Sequence, residues 1–190
     1  MRIGILGGTF DPPHNGHLLG AGDAYDALRL DRVLFIPAAT QPLKVTRDTA
    51  SAADRLAMVK CLVDGDARFN ANAMEIERGG LSYTVDTLSV LAGELPGSTL
   101  FWLVGADVIA TFAKWREPRR IVELATLAVL TRGEEPPDLG TIPGSPVVVE
   151  GRRIDISSTE IRRRVREGKS IRGFVPDSVE AYIASARLYR

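Results

Sequence analysis

The chain has 190 residues, 45% of them hydrophobic and 25% charged, with 24 Lys and Arg balancing 24 Asp and Glu. That composition suits one well-buried globular domain, residues 1–190, and a net charge of zero argues against a general nucleic-acid or membrane-binding surface. No apolar run approaches the roughly 18 residues of a membrane span, and the N-terminus enters a strand without a basic, then apolar, leader, so a cytoplasmic location is expected.

The first apolar run, Ile3 to Leu6, reads as a strand, and helical patterning follows from about Gly16 to Leu30. Between them stands Gly7-Gly8-Thr9-Phe10-Asp11-Pro12-Pro13-His14-Asn15-Gly16-His17. Two glycines let the backbone turn and approach a ligand, and a helix N-terminus just beyond presents unpaired N–H groups and about +0.5 charge, a site for phosphate. His14 and His17, spaced i, i+3, share one helix face and can point imidazole N–H groups at phosphate oxygens. A glycine pair alone equally suits a plain βα turn.

Arg32 to Ile36 is a continuous apolar run suited to a strand buried on both faces, which completes a βαβ unit. A loop, Pro37 to Ala50, leads to a helix from about Ser51 to Val63, where Ser51 and Asp54 fit a capping box, and then to an extended stretch near Arg68 to Glu77. Lone Cys61 lies among Leu56, Val59, Leu62 and Val63 and reads as a core thiol. A helix over Tyr83 to Leu95 stops at Pro96-Gly97, before the strand Leu100 to Val104. Short helices are predicted over Val108 to Phe112 and Pro118 to Ala125, a strand over Leu127 to Thr131, and a surface loop over Gly133 to Pro146. Val147 to Val149 is a late strand, and helices over Ser158 to Glu167 and Asp177 to Ser185 end the chain. The alternation predicts a single α/β fold, a Rossmann-like, doubly wound, mostly parallel sheet of five or six strands flanked by helices.

Between Arg152 and Arg172 eight basic residues face three acidic ones. Most of that run reads as a solvated helix face. Within it, Ile156-Ser157-Ser158-Thr159-Glu160-Ile161-Arg162 puts hydroxyls at a helix start and an arginine one turn on. That suits a plain N-cap with a surface arginine; paired with the first loop, it suits a second phosphate clamp.

The first loop resembles the G-G-T-F-D-P-x-H-x-G-H signature of the H-x-G-H nucleotidyltransferase superfamily, and the later string resembles its I-S-S-T-x-x-R motif. The closest fit is the bacterial nicotinate-nucleotide adenylyltransferase family. Glu75…Arg78-Gly79-Gly80-Leu81-Ser82-Tyr83-Thr84-x-x-Thr87 resembles that family's E-x-x-R-x-G-P-S-Y-T-x-x-T stretch, which maps the nicotinate carboxylate contact to Thr84. Gly105-Ala106-Asp107 followed by Lys114-Trp115 resembles its G-x-D…W segment, with Gly105 and Asp107 against the nucleotide and Trp115 against the pyridine ring. By its residues alone Trp115 is a packing residue. The loop Pro37 to Lys44 departs from the family's P-x-x-x-P-P-H-K, with Gln41 for a proline and Leu43 for the histidine, while Lys44 is retained to neutralise phosphate charge. Leu81 for proline, and Arg132-Gly133-Glu134 where many relatives read R-P-G, are further departures.

The resemblance implies adenylyl transfer from ATP to nicotinate mononucleotide, giving deamido-NAD and pyrophosphate in NAD biosynthesis. It sets His14, His17, Lys44 and Arg162 as catalytic. Gly7, Gly8, Thr9, Phe10, Gly16, Gly105, Asp107, Arg132, Ser157, Ser158 and Thr159 would contact ATP, and Thr84 and Trp115 nicotinate mononucleotide. Mg²⁺ is expected to ride on the ATP phosphates, since the sequence offers no carboxylate cluster to cage it. Two alternatives stand beside this reading: another H-x-G-H adenylyltransferase such as the pantetheine-phosphate type, and a module that senses ATP without turnover. Homo-oligomerisation is left open.

Overall fold

The computed structural model describes residues 1–40, 50–109, 111–131, 139–140 and 142–190, with the side chain of Asp107 outside the description. Strands β1 (Arg2–Gly8), β2 (Arg32–Pro37), β3 (Phe69–Ala71), β4 (Thr99–Gly105), β5 (Thr126–Thr131) and β6 (Val147–Glu150) form one sheet in the order β3-β2-β1-β4-β5-β6. Every pairing among these strands is parallel, so the sheet is more uniform than the mostly parallel one expected.

Both faces are covered, which is why the central strands read as unbroken apolar runs. On one face α1 (Asn15–Ala27), α2 (Ala52–Val63), α7 (Ser158–Arg166) and α8 (Asp177–Ser185) pack Ala21, Ala24, Met58, Val59, Ile161 and Val179 over Leu6, Phe35 and Leu103. On the other, α4 (Thr84–Glu94), α5 (Ala106–Ile109) and α6 (Pro118–Leu124) pack Val85, Leu88, Ile109 and Ile121 over Ile5, Trp102 and Val104. Among the described residues no helix is long and apolar enough to cross a membrane.

Three predicted elements differ. The expected extended stretch near Arg68 to Glu77 is a three-residue edge strand followed by helix α3 (Met74–Arg78). Asn72 Oδ1 accepts the Met74 N–H at 2.8 Å, which ends the strand and starts the helix. Helix α1 stops at Ala27, three residues early, because Arg29 turns left-handed (φ 49°) and Leu30 turns into the core. The helix expected over Val108 to Phe112 divides into α5 and a 3₁₀ turn, Phe112–Lys114.

The chain winds outward from β1 through β2 to β3, then returns to place β4 on the other side of β1. The order of winding therefore reverses between β1 and β4. In open α/β sheets the crevice at the carboxyl ends of such strands binds ligands. The β1–α1 loop leaves from one side of that crevice, and Gly105 opens α5 on the other.

Candidate active site

The β1 strand runs through both glycines, with Gly7 opposite Ile36 and Gly8 opposite Pro37, so neither makes the expected turn. Gly7 is required for packing: a Cβ there would stand 2.6 Å from Trp102 Cη2 and 2.8 Å from its Cζ2. The turn falls at Phe10, whose φ of 52° is left-handed. Holding a bulky residue there costs about 1–3 kcal/mol, which burial of its ring offsets at a similar magnitude. The buried Phe10 ring meets the His17 imidazole edge-on, with centroids 5.0 Å apart and planes at 64°.

His14 is the N-cap of α1 in extended conformation, and His17 is its third residue. The His14 backbone N–H donates to His17 Nδ1 at 3.1 Å, a capping-box arrangement built from an imidazole rather than a glutamate. Because Nδ1 accepts, the proton of neutral His17 sits on Nε2, which makes that atom a donor. The two rings stack at 3.7 Å between centroids. A Cβ on Gly16 would lie 3.0 Å from His14 Nδ1 and 3.1 Å from Cε1, so the glycine between the histidines makes room for the first of them. Of the first-turn amides, that of Asn15 is taken by Phe174 O at 2.9 Å, so the helix start is also a docking point for the C-terminal segment.

Helix α7 is brought against this loop. Ser157 caps it by accepting the Glu160 N–H at 3.2 Å, and the Ser158 hydroxyl donates to Pro12 O at 2.8 Å. Arg162 donates from one terminal nitrogen to Asp11 O at 2.6 Å and from the other to Thr159 Oγ1 at 3.4 Å. Two strings that lie far apart in the sequence thus meet directly, and two residues expected to hold phosphate also hold the two loops together.

A buried polar hub lies beneath them, built around Asp11 by Arg55 and Tyr189, two residues absent from the sequence reading. Arg55 on α2, 5% exposed, donates to four backbone carbonyls: Thr9 O at 2.9 Å, Ala38 O at 2.6 Å, Ala39 O at 3.0 Å and Ala50 O at 3.3 Å. It thereby ties the ends of β1 and β2 to the start of α2. Burial lowers its pKa, opposed by the charge of Asp11 and by Tyr189. Asp11, 3% exposed, accepts the Ala50 N–H at 3.0 Å and the Tyr189 O–H at 2.7 Å on Oδ1. Burial, then the Asp11 hydrogen bond, pushes the Tyr189 hydroxyl far above its ordinary range, so it stays protonated and donates.

The segment carrying Thr84 is fixed by a second network. The Ala39 N–H donates to Ser82 Oγ at 2.9 Å, and Ser82 N–H donates to Thr40 O at 2.9 Å, pinning the turn before α4 to the end of β2. Thr87 Oγ1 donates to Glu75 Oε1 at 2.5 Å and accepts from Arg78 at 3.2 Å. Four polar residues of the E-x-x-R…S-Y-T-x-x-T stretch are therefore scaffolding for the α4 start, where Thr84 is the first helical residue. Trp115 is half-buried; its Nε1–H donates to Thr111 Oγ1 at 3.1 Å and its ring packs on Phe112 at 5.3 Å. Arg116 joins the two segments, 4.8 Å over the Tyr83 ring and 3.6 Å from Asp86.

Burial raises the Glu75 carboxyl above its ordinary value, with the Thr87 and Ser82 hydrogen bonds and Arg78 opposing. The folded state therefore holds this proton more tightly than the unfolded chain, and stability falls as pH climbs from the ordinary glutamate range through the raised value. Glu75→Gln is expected to flatten that part of a stability-against-pH profile from urea unfolding; an unchanged slope would contradict a buried, titrating Glu75.

Lys44, Arg132 and the Gln41 and Leu43 departures lie outside the described residues, as does the Asp107 side chain; its backbone and Gly105 belong to the β4–α5 junction. Among the described residues no group of three or more His, Cys, Asp or Glu could hold a metal. The Asp11 carboxylate does not fit as a ligand, since two donors occupy Oδ1 and the Arg162 guanidinium stands 3.8 Å from Oδ2.

A parallel sheet with a switch-point crevice, a histidine-capped helix start and an arginine-bearing second helix start define a nucleotide-handling α/β protein, and the cytidylyltransferase-like family model matches residues 5–164. A probable nicotinate-nucleotide adenylyltransferase of Gemmatimonas aurantiaca is 50% identical across all of this chain and 93% of its own length. One from Thermus thermophilus is 45% identical over the full length of both. The chain belongs to the bacterial nicotinate-nucleotide adenylyltransferase family. The solved Plasmodium falciparum nicotinic acid mononucleotide adenylyltransferase, complexed with NaAD, shares the fold, with a TM-score of 0.83 at 19% identity over 99% of this chain and 97% of that one.

Proposed function

We propose that the chain, as one nucleotidyltransferase domain, transfers the adenylyl group of ATP to the 5′-phosphate of nicotinate mononucleotide. A phosphate oxygen of the mononucleotide attacks the α-phosphorus in line, the bond from that phosphorus to the bridging oxygen breaks, and pyrophosphate leaves as deamido-NAD forms. The nucleophile is already ionised, so positioning and charge neutralisation carry the rate. The observation that carries this reading is His17, fixed by the His14 amide as an Nε2–H donor at a helix start beside the switch point.

In this reading His14 and His17 stabilise charge on the α-phosphate and leaving group, with Gly8, Thr9 and Phe10 shaping the loop around them. Arg162, Ser158 and Thr159 hold the outer phosphates, with Lys44 and Arg132 as further cations. The α4 start at Thr84 favours an anionic nicotinate over a neutral amide, and the half-buried Trp115 offers a plane for the pyridine ring. Mg²⁺ would arrive on the phosphates of ATP, with water and those oxygens as ligands. Mass spectrometry of a reaction holding the protein, Mg²⁺, ATP and nicotinate mononucleotide tests the proposal. Deamido-NAD and pyrophosphate in equal amounts are expected; ADP with phosphate, or unconverted ATP, would refute it.

A further inference from the structure

Tyr189 lies near the end of the chain, 178 positions from the residue its hydroxyl contacts. Its ring packs against the α1/α2/α7/α8 core, and its backbone sits in the left-handed region at φ 64°, so local conformation does not favour its placement. What it reaches is Asp11 Oδ1, which already accepts the Ala50 amide. Two donors on one oxygen fix the rotation of the carboxylate. Oδ2 is then buried, makes no hydrogen bond, and stops 3.8 Å short of the Arg162 guanidinium. That is an incomplete ion pair. The same guanidinium nitrogen bonds the Asp11 carbonyl at 2.6 Å, so the close tether of Arg162 to the loop is a neutral acceptor and its pairing with the carboxylate is the looser contact.

A buried carboxylate and a part-buried guanidinium this close gain by closing to a bidentate pair unless something prevents it. Here the restraint is the pair of donors on Oδ1. We propose that Tyr189 is a positioning residue: by holding Asp11 back from a full ion pair, it keeps the charge of Arg162 for the polyphosphate of ATP. The inference rests on the assignment of Arg162 to the ATP phosphates made above. Arg55, whose bonds to Ala50 O and Thr9 O flank Asp11, supplies the rigid frame in which a single hydroxyl can set that angle.

The test is a double-mutant cycle on ATP affinity by titration calorimetry, with Tyr189→Phe, Arg162→Gln and the pair. Tyr189→Phe removes only the hydroxyl and leaves the ring packed, and Arg162→Gln keeps a donor for the Asp11 carbonyl. Tyr189→Phe is expected to weaken ATP roughly five- to tenfold, the scale of one ordinary net hydrogen bond. In the Arg162→Gln background it should change ATP affinity by less than twofold, and nicotinate mononucleotide affinity should hold in every variant. The proposal is overturned if Tyr189→Phe binds ATP within twofold of the parent, if its loss is as large in the Arg162→Gln background, or if mononucleotide affinity falls in step. Product formation by the unaltered protein, measured on the same preparation, separates the two claims. Its absence would sink the adenylyl-transfer reading, whereas additive losses with product formed would sink only the role of Tyr189.

Discussion

Replacing His17 by alanine is expected to lower turnover by two to three orders of magnitude, the scale for losing one preorganised donor to transition-state charge. The geometry adds that alanine also removes the acceptor for the His14 amide, so a loss of about 1 kcal/mol in stability should accompany it. Asparagine separates the two effects. Its side-chain oxygen reaches roughly where Nδ1 lies and can cap the helix, but nothing replaces Nε2–H. Turnover of His17→Asn should stay as low as that of His17→Ala while its unfolding midpoint returns toward the parent. A His17→Ala protein retaining half the parent rate would remove His17 from the mechanism.

The largest stability effect is expected at Arg55. Arg55→Met keeps the packing volume on α2 but leaves the carbonyls of Thr9, Ala38, Ala39 and Ala50 without their donor and takes a cation from beside Asp11. Losing a buried charged partner costs about 3–5 kcal/mol, or roughly 6–20 °C in midpoint for a chain of this size. Arg55→Lys should recover only part of this, because one ammonium cannot reach acceptors arrayed around a planar fork. Denaturant unfolding of the two variants checks both statements, and a methionine variant within about 1 kcal/mol of the parent would contradict the hub.

Arg55 also shows where sequence reading stops short. With Met58, Val59 and Leu62 it falls on the buried stripe of α2, so the 3.6-residue period did carry a signal that a cation lies in the core. Its carbonyl partners belong to loops whose mutual approach only the sheet order dictates. Tyr189 carries no such signal, since its contact with Asp11 spans almost the whole chain. The first-loop glycines misled in a physical way: the pattern after a strand fits a turn, but Gly7 is there because the Trp102 indole occupies the space of a Cβ. The strands and the two helix starts were legible, because apolar runs and capping residues are local; the pairing of the histidine loop with Arg162, 151 positions apart, came from the resemblance rather than from any local signal. The short helix α3 was not legible, since the Asn72 side chain that turns the chain into it looks like any loop residue.

The function is tested most directly by pyrophosphate release with ATP and each of three acceptors: nicotinate mononucleotide, nicotinamide mononucleotide and phosphopantetheine. Release should be fastest with nicotinate mononucleotide, slower with the amide and absent with phosphopantetheine. Release with phosphopantetheine alone, or with none of the three despite measurable ATP binding, would contradict adenylyl transfer to a pyridine mononucleotide.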